Sequence, residues 1–268
     1  MELLRTLYES HPLSHLHLVL IFTHITLGLI ALLLGPVAMR AHKGGKNHRR
    51  AGKIYFWSMT AALLVAVVLL FFRFNVFLAG ITALSLNGVV TGYRSLRRKR
   101  PQSGNGPAWF DWAFATVFLF CGFGLLGYGI LTGAGLVAAW IPSGDGMFAI
   151  LVILPIVFGV FILNDAITDI RILRTPPTDR NWWWYYHMSR MLGSYIALVT
   201  ALMVQQVGPL LPGSVAWFVW IAPAAIGSPL IARWIGLYRR QFDARTAPIV
   251  TTTQSQPAHN MANIGNVS

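Results

Sequence analysis

Seven stretches of this chain are nearly free of charge and long enough to cross a bilayer, which limits its fold more than any other feature. A hydrocarbon layer about 30 Å thick takes about 20 apolar residues wound as an α-helix. The stretches run from about His17 to Met39, Ile54 to Phe72, Val76 to Tyr93, Phe110 to Leu131, Met147 to Asn164, Met188 to Val207 and Val215 to Leu237. Lipid offers the backbone no hydrogen bonds, so each stretch is read as a helix. The third is the weakest, being short and entered through a very tight turn at Arg73, Phe74 and Asn75. Composition argues against a water-soluble domain. Only 11% of the 268 residues are charged and 55% are hydrophobic, where a soluble domain carries about 25% charged residues. The expected fold class is all-α, an integral membrane bundle of seven transmembrane helices over residues 1–242. Residues 243–268 are polar and aperiodic and are expected to form a disordered tail.

If the spans alternate in direction, all of the 21 Lys and Arg except Arg5 and Arg73 fall at one end. Such a bias marks the cytoplasmic side. It puts the amino terminus outside and the carboxyl terminus in the cytoplasm, in the inner membrane of a bacterial cell. The net charge of +13 then reflects topology and attraction to anionic headgroups of the lipid bilayer. Arg97, Arg98, Lys99 and Arg100 form a basic run, but it is pinned between two spans, so lipid is the expected partner and nucleic acid is not. Cys121 is the single cysteine, which leaves no intramolecular disulfide and no cysteine-based zinc site. The opening MELLRTLYESHPLSH lacks the basic leader and cleavage pattern of a signal peptide, so the first span is expected to be retained.

Ionisable groups inside hydrocarbon are costly unless paired, so each is a functional candidate. His24 lies roughly 10 Å below the outer end of the first span. Ser85 and Asn87 on the third span reach that depth and are the expected hydrogen-bond partners. The other reading of His24 is a ligand or proton relay, with Met203 near enough in depth for a His/Met haem pair. The basic end is richer in such groups. His48 is expected just before the second helix and Tyr55 one turn into it. Asp165 and Asp169 share a face near the end of the fifth, and His187 and Arg190 open the sixth. Two histidines with a carboxylate suit a divalent metal, which makes His48, Asp165, Asp169 and His187 the metal candidates. Two facing histidines suit haem b, with His24, His48, His187, Tyr55 and Arg190 as the cofactor-binding candidates. Arg190 would fix an anionic substituent. Asp165 and Asp169 also lie near Arg171, Arg174 and Arg190, so simple ion pairing is the competing reading. His24 and His187 differ by about 20 Å in depth and cannot share one iron.

Other features have plainer readings. Three histidines before the first span, His11, His15 and His17, are expected to bind nothing. Gly122, Gly124 and Gly127 match a dinucleotide fingerprint but follow no strand, and are expected to form a helix-packing face with Gly129 and Gly133. The run Trp182, Trp183, Trp184, Tyr185, Tyr186 is expected to be an interfacial aromatic belt. Pro155, Pro223 and Pro229 mark expected kinks in the fifth and seventh spans.

The first span and the loop after it read His24-x3-Gly28-x2-Ala31-Leu32-x2-Gly35-Pro36, then His48-Arg49-x2-Gly52-x2-Tyr55. The pattern resembles a bacterial family of predicted multi-pass membrane proteins classed as domain of unknown function 2306. Asp165 and the aromatic run ending at His187 are compatible with that family's second half. The resemblance implies a multi-helix membrane fold and carries over no activity and no catalytic residue. From the residues, the expected function is a redox or metal-centred membrane protein holding haem b or a divalent metal, served by a homo-oligomer or a membrane redox partner. Two alternatives stay open: a transporter of small molecules or ions in which His24 and the last helix line a pathway, and an accessory or assembly protein with no bound group. A seven-helix zinc hydrolase would carry paired histidines in the last span, which has none.

Overall fold

The computed structural model describes residues 13–99, 106–136, 147–212, 215 and 218–246. The described residues contain no strand. Seven helices are long and apolar enough to cross a membrane: α1 (Leu13–Arg40), α2 (Lys46–Phe72), α3 (Val76–Ser95), α4 (Trp109–Gly133), α5 (Met147–Arg174), α6 (Trp182–Leu202) and α7 (Phe218–Thr246). A π-turn over Met203–Val207 and a 3-10 turn over Gly208–Leu210 extend α6. The chain is therefore an all-α, multi-pass membrane protein. The expected helices are all present, and several begin or end about one to three turns beyond their apolar cores. Residues 247–268 of the expected tail, and His11, lie outside the described residues.

Three antiparallel pairs, α1 with α2, α4 with α5 and α6 with α7, are arranged about α3, which packs on α2, α5 and α6 and touches α4. The helix that looked weakest in the sequence is thus the central one. Of its most apolar window 67% is buried, against 11% in α1 and in α7. A helix that sees protein rather than lipid can carry Thr82, Ser85, Asn87, Thr91 and Ser95 on buried positions, and these lower its hydropathy. Its tight entry is secured locally, since Asn75 accepts the Leu78 N–H at 3.0 Å and so caps the first turn. Outward-facing Phe22, Leu33, Phe71, Phe120, Phe161 and Ile226 give the bundle a lipid-compatible surface.

Small residues bring the helices close. A Cβ at Gly122, Gly129 or Gly133 would press on Leu163, Ile156 or Val152 of α5, whereas one at Gly124 or Gly127 would meet open space. The expected packing face is therefore Gly122, Gly129 and Gly133 alone. A second close approach escaped the sequence reading. A Cβ at Gly88 would come within 3.2 Å of the Arg190 carbonyl oxygen, and one at Gly92 within 2.9 Å of Arg190 Cβ. This pair, one turn apart, lets α6 lie directly on α3.

Candidate functional site

At the basic end a cavity of about 810 Å³ opens between α1, α2, α3, α6 and α7, a size typical of small-molecule and cofactor sites. By helix rise the lining changes with depth. Lys43, Arg49, Arg50 and Lys99 lie toward the rim, Lys53 lies within a turn of Tyr55, and Tyr55, Tyr195, Met191 and Trp234 lie deeper. No aspartate or glutamate lines it.

His48 and His187 both line this cavity. His48 donates Nδ1–H to the Ala38 carbonyl at 2.9 Å and His187 donates to the Gly92 carbonyl at 2.8 Å. Carbonyls only accept, so Nδ1 carries the hydrogen and the neutral ring has its lone pair on Nε2, the arrangement of a histidine prepared to ligate. Local sequence explains both bonds. The last carbonyls of α1 have no partner within the helix, and the returning chain supplies them. Gly44, at φ 77°, turns it back. Lys43 Nζ donates to Met39 O at 2.5 Å, and His48 reaches Ala38 O from the first turn of α2. Burial holds the Lys43 ammonium pKa below the ordinary lysine value. The His187 bond depends on the glycine contact, because only a close α6 can reach the Gly92 carbonyl.

Gly35 lines the α1 wall, and Pro36 follows it. Pro36 has no N–H to offer the carbonyl four residues earlier, that of Leu32, and the Tyr195 hydroxyl donates to this same carbonyl at 3.2 Å. A Cβ at Gly35 would collide with the Tyr195 ring. The Gly-Pro step thus seats one aromatic side chain of α6 against α1. Beside it Tyr55, 3% exposed, shares a hydrogen bond with Ser194 Oγ at 2.9 Å. Tyr195, Trp183, Trp184 and Trp234 were not singled out as site residues from the sequence, and only the Pro36 gap signalled one of them.

A second polar region lies against the same two helices and is organised differently. Arg190 reaches from α6 past α3 to form ion pairs with both Asp165 and Asp169 of α5. The Tyr186 hydroxyl donates to Asp169, and Asn87 faces that carboxylate from α3. Next to it Arg94 of α3 forms a two-pronged ion pair with Asp111 of α4, whose second oxygen also accepts the Ala108 N–H at 2.9 Å. With Arg98 acting on Asp111 and Asp169, three arginines face three aspartates. The space that Arg94, Arg98, Asp111 and Asp169 line is only about 10 Å³.

These findings divide the sequence-predicted site residues. His48, Tyr55 and His187 line one cavity. Asp165, Asp169 and Arg190 form a cluster that no cavity-lining histidine joins, because both carboxylates are paired with Arg190. Among the described residues no group of three His, Cys, Asp or Glu side chains could hold a metal ion, so the expected His48, Asp165, Asp169 and His187 set does not converge. Arg190 is likewise committed to its carboxylates and does not line the cavity. His24 stands apart and hydrogen-bonds through Nδ1 to the Ala62 carbonyl of α2 at 2.9 Å, not to Ser85 or Asn87. The expected partners belong to α3, which α1 does not pack against. None of Trp182, Trp183, Trp184, Tyr185 and Tyr186 is exposed. The run turns inward, onto the cavity, α7 and Asp169, in place of the belt expected.

In three comparisons with known proteins, no family model, no curated protein and no solved structure matches the chain.

Proposed function

We propose that this chain is a redox membrane protein that binds haem b in the basic-end cavity, where His48 and His187 would hold the iron. The observation that carries the reading is that two histidines from different helices line one cavity, each with Nδ1 already given to a backbone carbonyl. A porphyrin brings four of its own nitrogens to iron, so one or two protein ligands suffice. A bare divalent metal asks for three or four, and such a set is not found among the described residues. The donor set therefore fits haem better than the divalent metal also considered.

Bound haem would supply one-electron chemistry. The chain's own contribution is to hold each imidazole in one tautomer, to strengthen it as a ligand through the Nδ1–H bond, and to wall the site with Trp183, Trp184 and Met188. The Lys and Arg bias supports placing this end in the cytoplasm, the amino terminus outside and the chain in a bacterial inner membrane. A membrane redox partner or a second copy of the chain would then exchange electrons at this face. Kinship with the domain of unknown function 2306 family is part of the proposal and rests on the sequence pattern that includes Gly35, Pro36, His48 and Tyr55.

The test is an optical spectrum of the protein purified in mild detergent, before and after adding haemin. A Soret band that is lost in both His48→Ala and His187→Ala supports the reading. A colourless protein that leaves the haemin spectrum unshifted sinks it.

A further inference from the structure

The cavity carries five cationic side chains and no carboxylate, and among the described residues none of the five forms an ion pair. A bias of one charge sign inside low-dielectric walls focuses the field into the cavity and attracts anions. Two of the five are held in place. Lys43 is bound to the carbonyl end of α1 through Met39 O, with its ammonium partly withdrawn from solvent. Lys99 lies over the Trp183 ring, Nζ 4.3 Å from its centre, at the cavity wall. Beneath them the lining turns aromatic and apolar with Tyr55, Tyr195, Met191 and Trp234. Charge at one end and apolar rings at the other describe the complement of an anionic amphiphile.

We propose that Lys43 and Lys99 form an oxyanion-binding subsite at the cavity rim, taking the carboxylates or phosphate of an amphiphile whose apolar body lies against Tyr55, Tyr195 and Trp234. The inference rests on the cavity being a ligand site, as in the haem reading, but not on iron ligation. Haem propionates and the phosphate of an anionic lipid present the same chemistry to these lysines.

The full chain, held in phosphatidylcholine nanodiscs, is titrated with haemin, with haemin dimethyl ester and with phosphatidylglycerol. Two charge-assisted contacts are expected to make wild type bind haemin at least about tenfold more tightly than the ester. In the variant with Lys43→Gln and Lys99→Gln that preference disappears, and Lys→Arg at both positions restores it. Lys99 is exposed, so Lys99→Gln alone, which leaves the fold undisturbed, is expected to lose part of the preference. If haemin leaves the spectrum unshifted but phosphatidylglycerol binds in a manner lost with the lysines, lipid phosphate is the source, and the subsite stands while the haem reading falls. If haemin and its ester bind equally, with or without the lysines, the subsite is overturned while the haem reading stands. If no anionic ligand is distinguished from its neutral counterpart, the subsite is overturned outright.

Discussion

The two polar regions at the basic end share α3 and α6 but resolve their charges in opposite ways. On one side Arg94 and Arg190 pair with Asp111, Asp165 and Asp169, and Arg94, Arg98, Asp111 and Asp169 enclose a void of about 10 Å³. On the other, Lys43, Lys99 and three more cations line about 810 Å³ without a single carboxylate. Buried charges are tolerated when paired, and the first region, where Arg94 and Arg190 pair with the three aspartates, ties α3, α4, α5 and α6 together, with Asp169 Oδ2, Asn87 Nδ2 and Arg98 Nε left without a hydrogen-bond partner among the described residues. The second lacks counter-charge, and it is the one that holds two histidines with their Nε2 lone pairs left over. Ionisable residues at membrane depth are functional candidates by default. Here the candidate is the region whose charges do not cancel.

The sharpest way to break this comparison is to open the closed side. Arg190→Ala leaves the buried Asp169 and the half-buried Asp165 without their cation, and breaking a buried pair costs about 3–5 kcal/mol. Thermal unfolding in detergent is expected to show a large loss for this variant and almost none for Lys99→Ala. Replacing Arg190 with Met together with Asp165→Asn and Asp169→Asn removes the charges as a set and is expected to recover most of the loss. If Arg190→Ala unfolds like wild type, the cluster is not a clamp and the contrast fails.

A smaller effect is expected where the two regions join. Gly92 accepts the His187 Nδ1–H bond on the cavity side and lies against Arg190 on the cluster side. Gly92→Leu forces α6 off α3, and overpacking of this kind costs about 1–3 kcal/mol. Both readouts are expected to move together, with unfolding at lower temperature and weaker binding of haemin. A variant that loses stability and keeps its haemin affinity would show that the α3 contact does not position His187.

How much of this was legible in the sequence follows from the range of each interaction. Spans and helical class follow from local hydropathy, and Asp165 and Asp169 share a face because helix geometry puts positions four apart together. The pairing of that face with Arg190 needs a third helix, and from sequence Arg171 and Arg174 were equally near. The same limit explains why His24 was matched to α3. Depth along the helix is readable, but which helices are neighbours is not. From the sequence Lys99 is a headgroup contact and Trp182, Trp183 and Trp184 are part of a belt, because composition cannot say that α6 begins inside the bundle. The central place of α3 was hidden for a related reason, since burial against protein allows the polar residues that made it look like a poor span.

The mildest perturbation sharpens the comparison from the cavity side. Tyr195→Phe keeps the ring that fills the space over Gly35 but removes the hydroxyl from the Leu32 carbonyl. That carbonyl has no helical partner because Pro36 stands four residues on, so the loss leaves an acceptor unsatisfied in the wall. A net cost of about 1 kcal/mol is expected, seen as a small fall in unfolding temperature. Pro36→Ala in the same chain restores the helical N–H, and the hydroxyl then has little left to do. The double variant is therefore expected to lie closer to Pro36→Ala alone than the sum of the single effects predicts. If the two effects simply add, the Tyr195 hydroxyl is not a substitute for the missing proline N–H, and the Gly35-Pro36 step is only a packing feature.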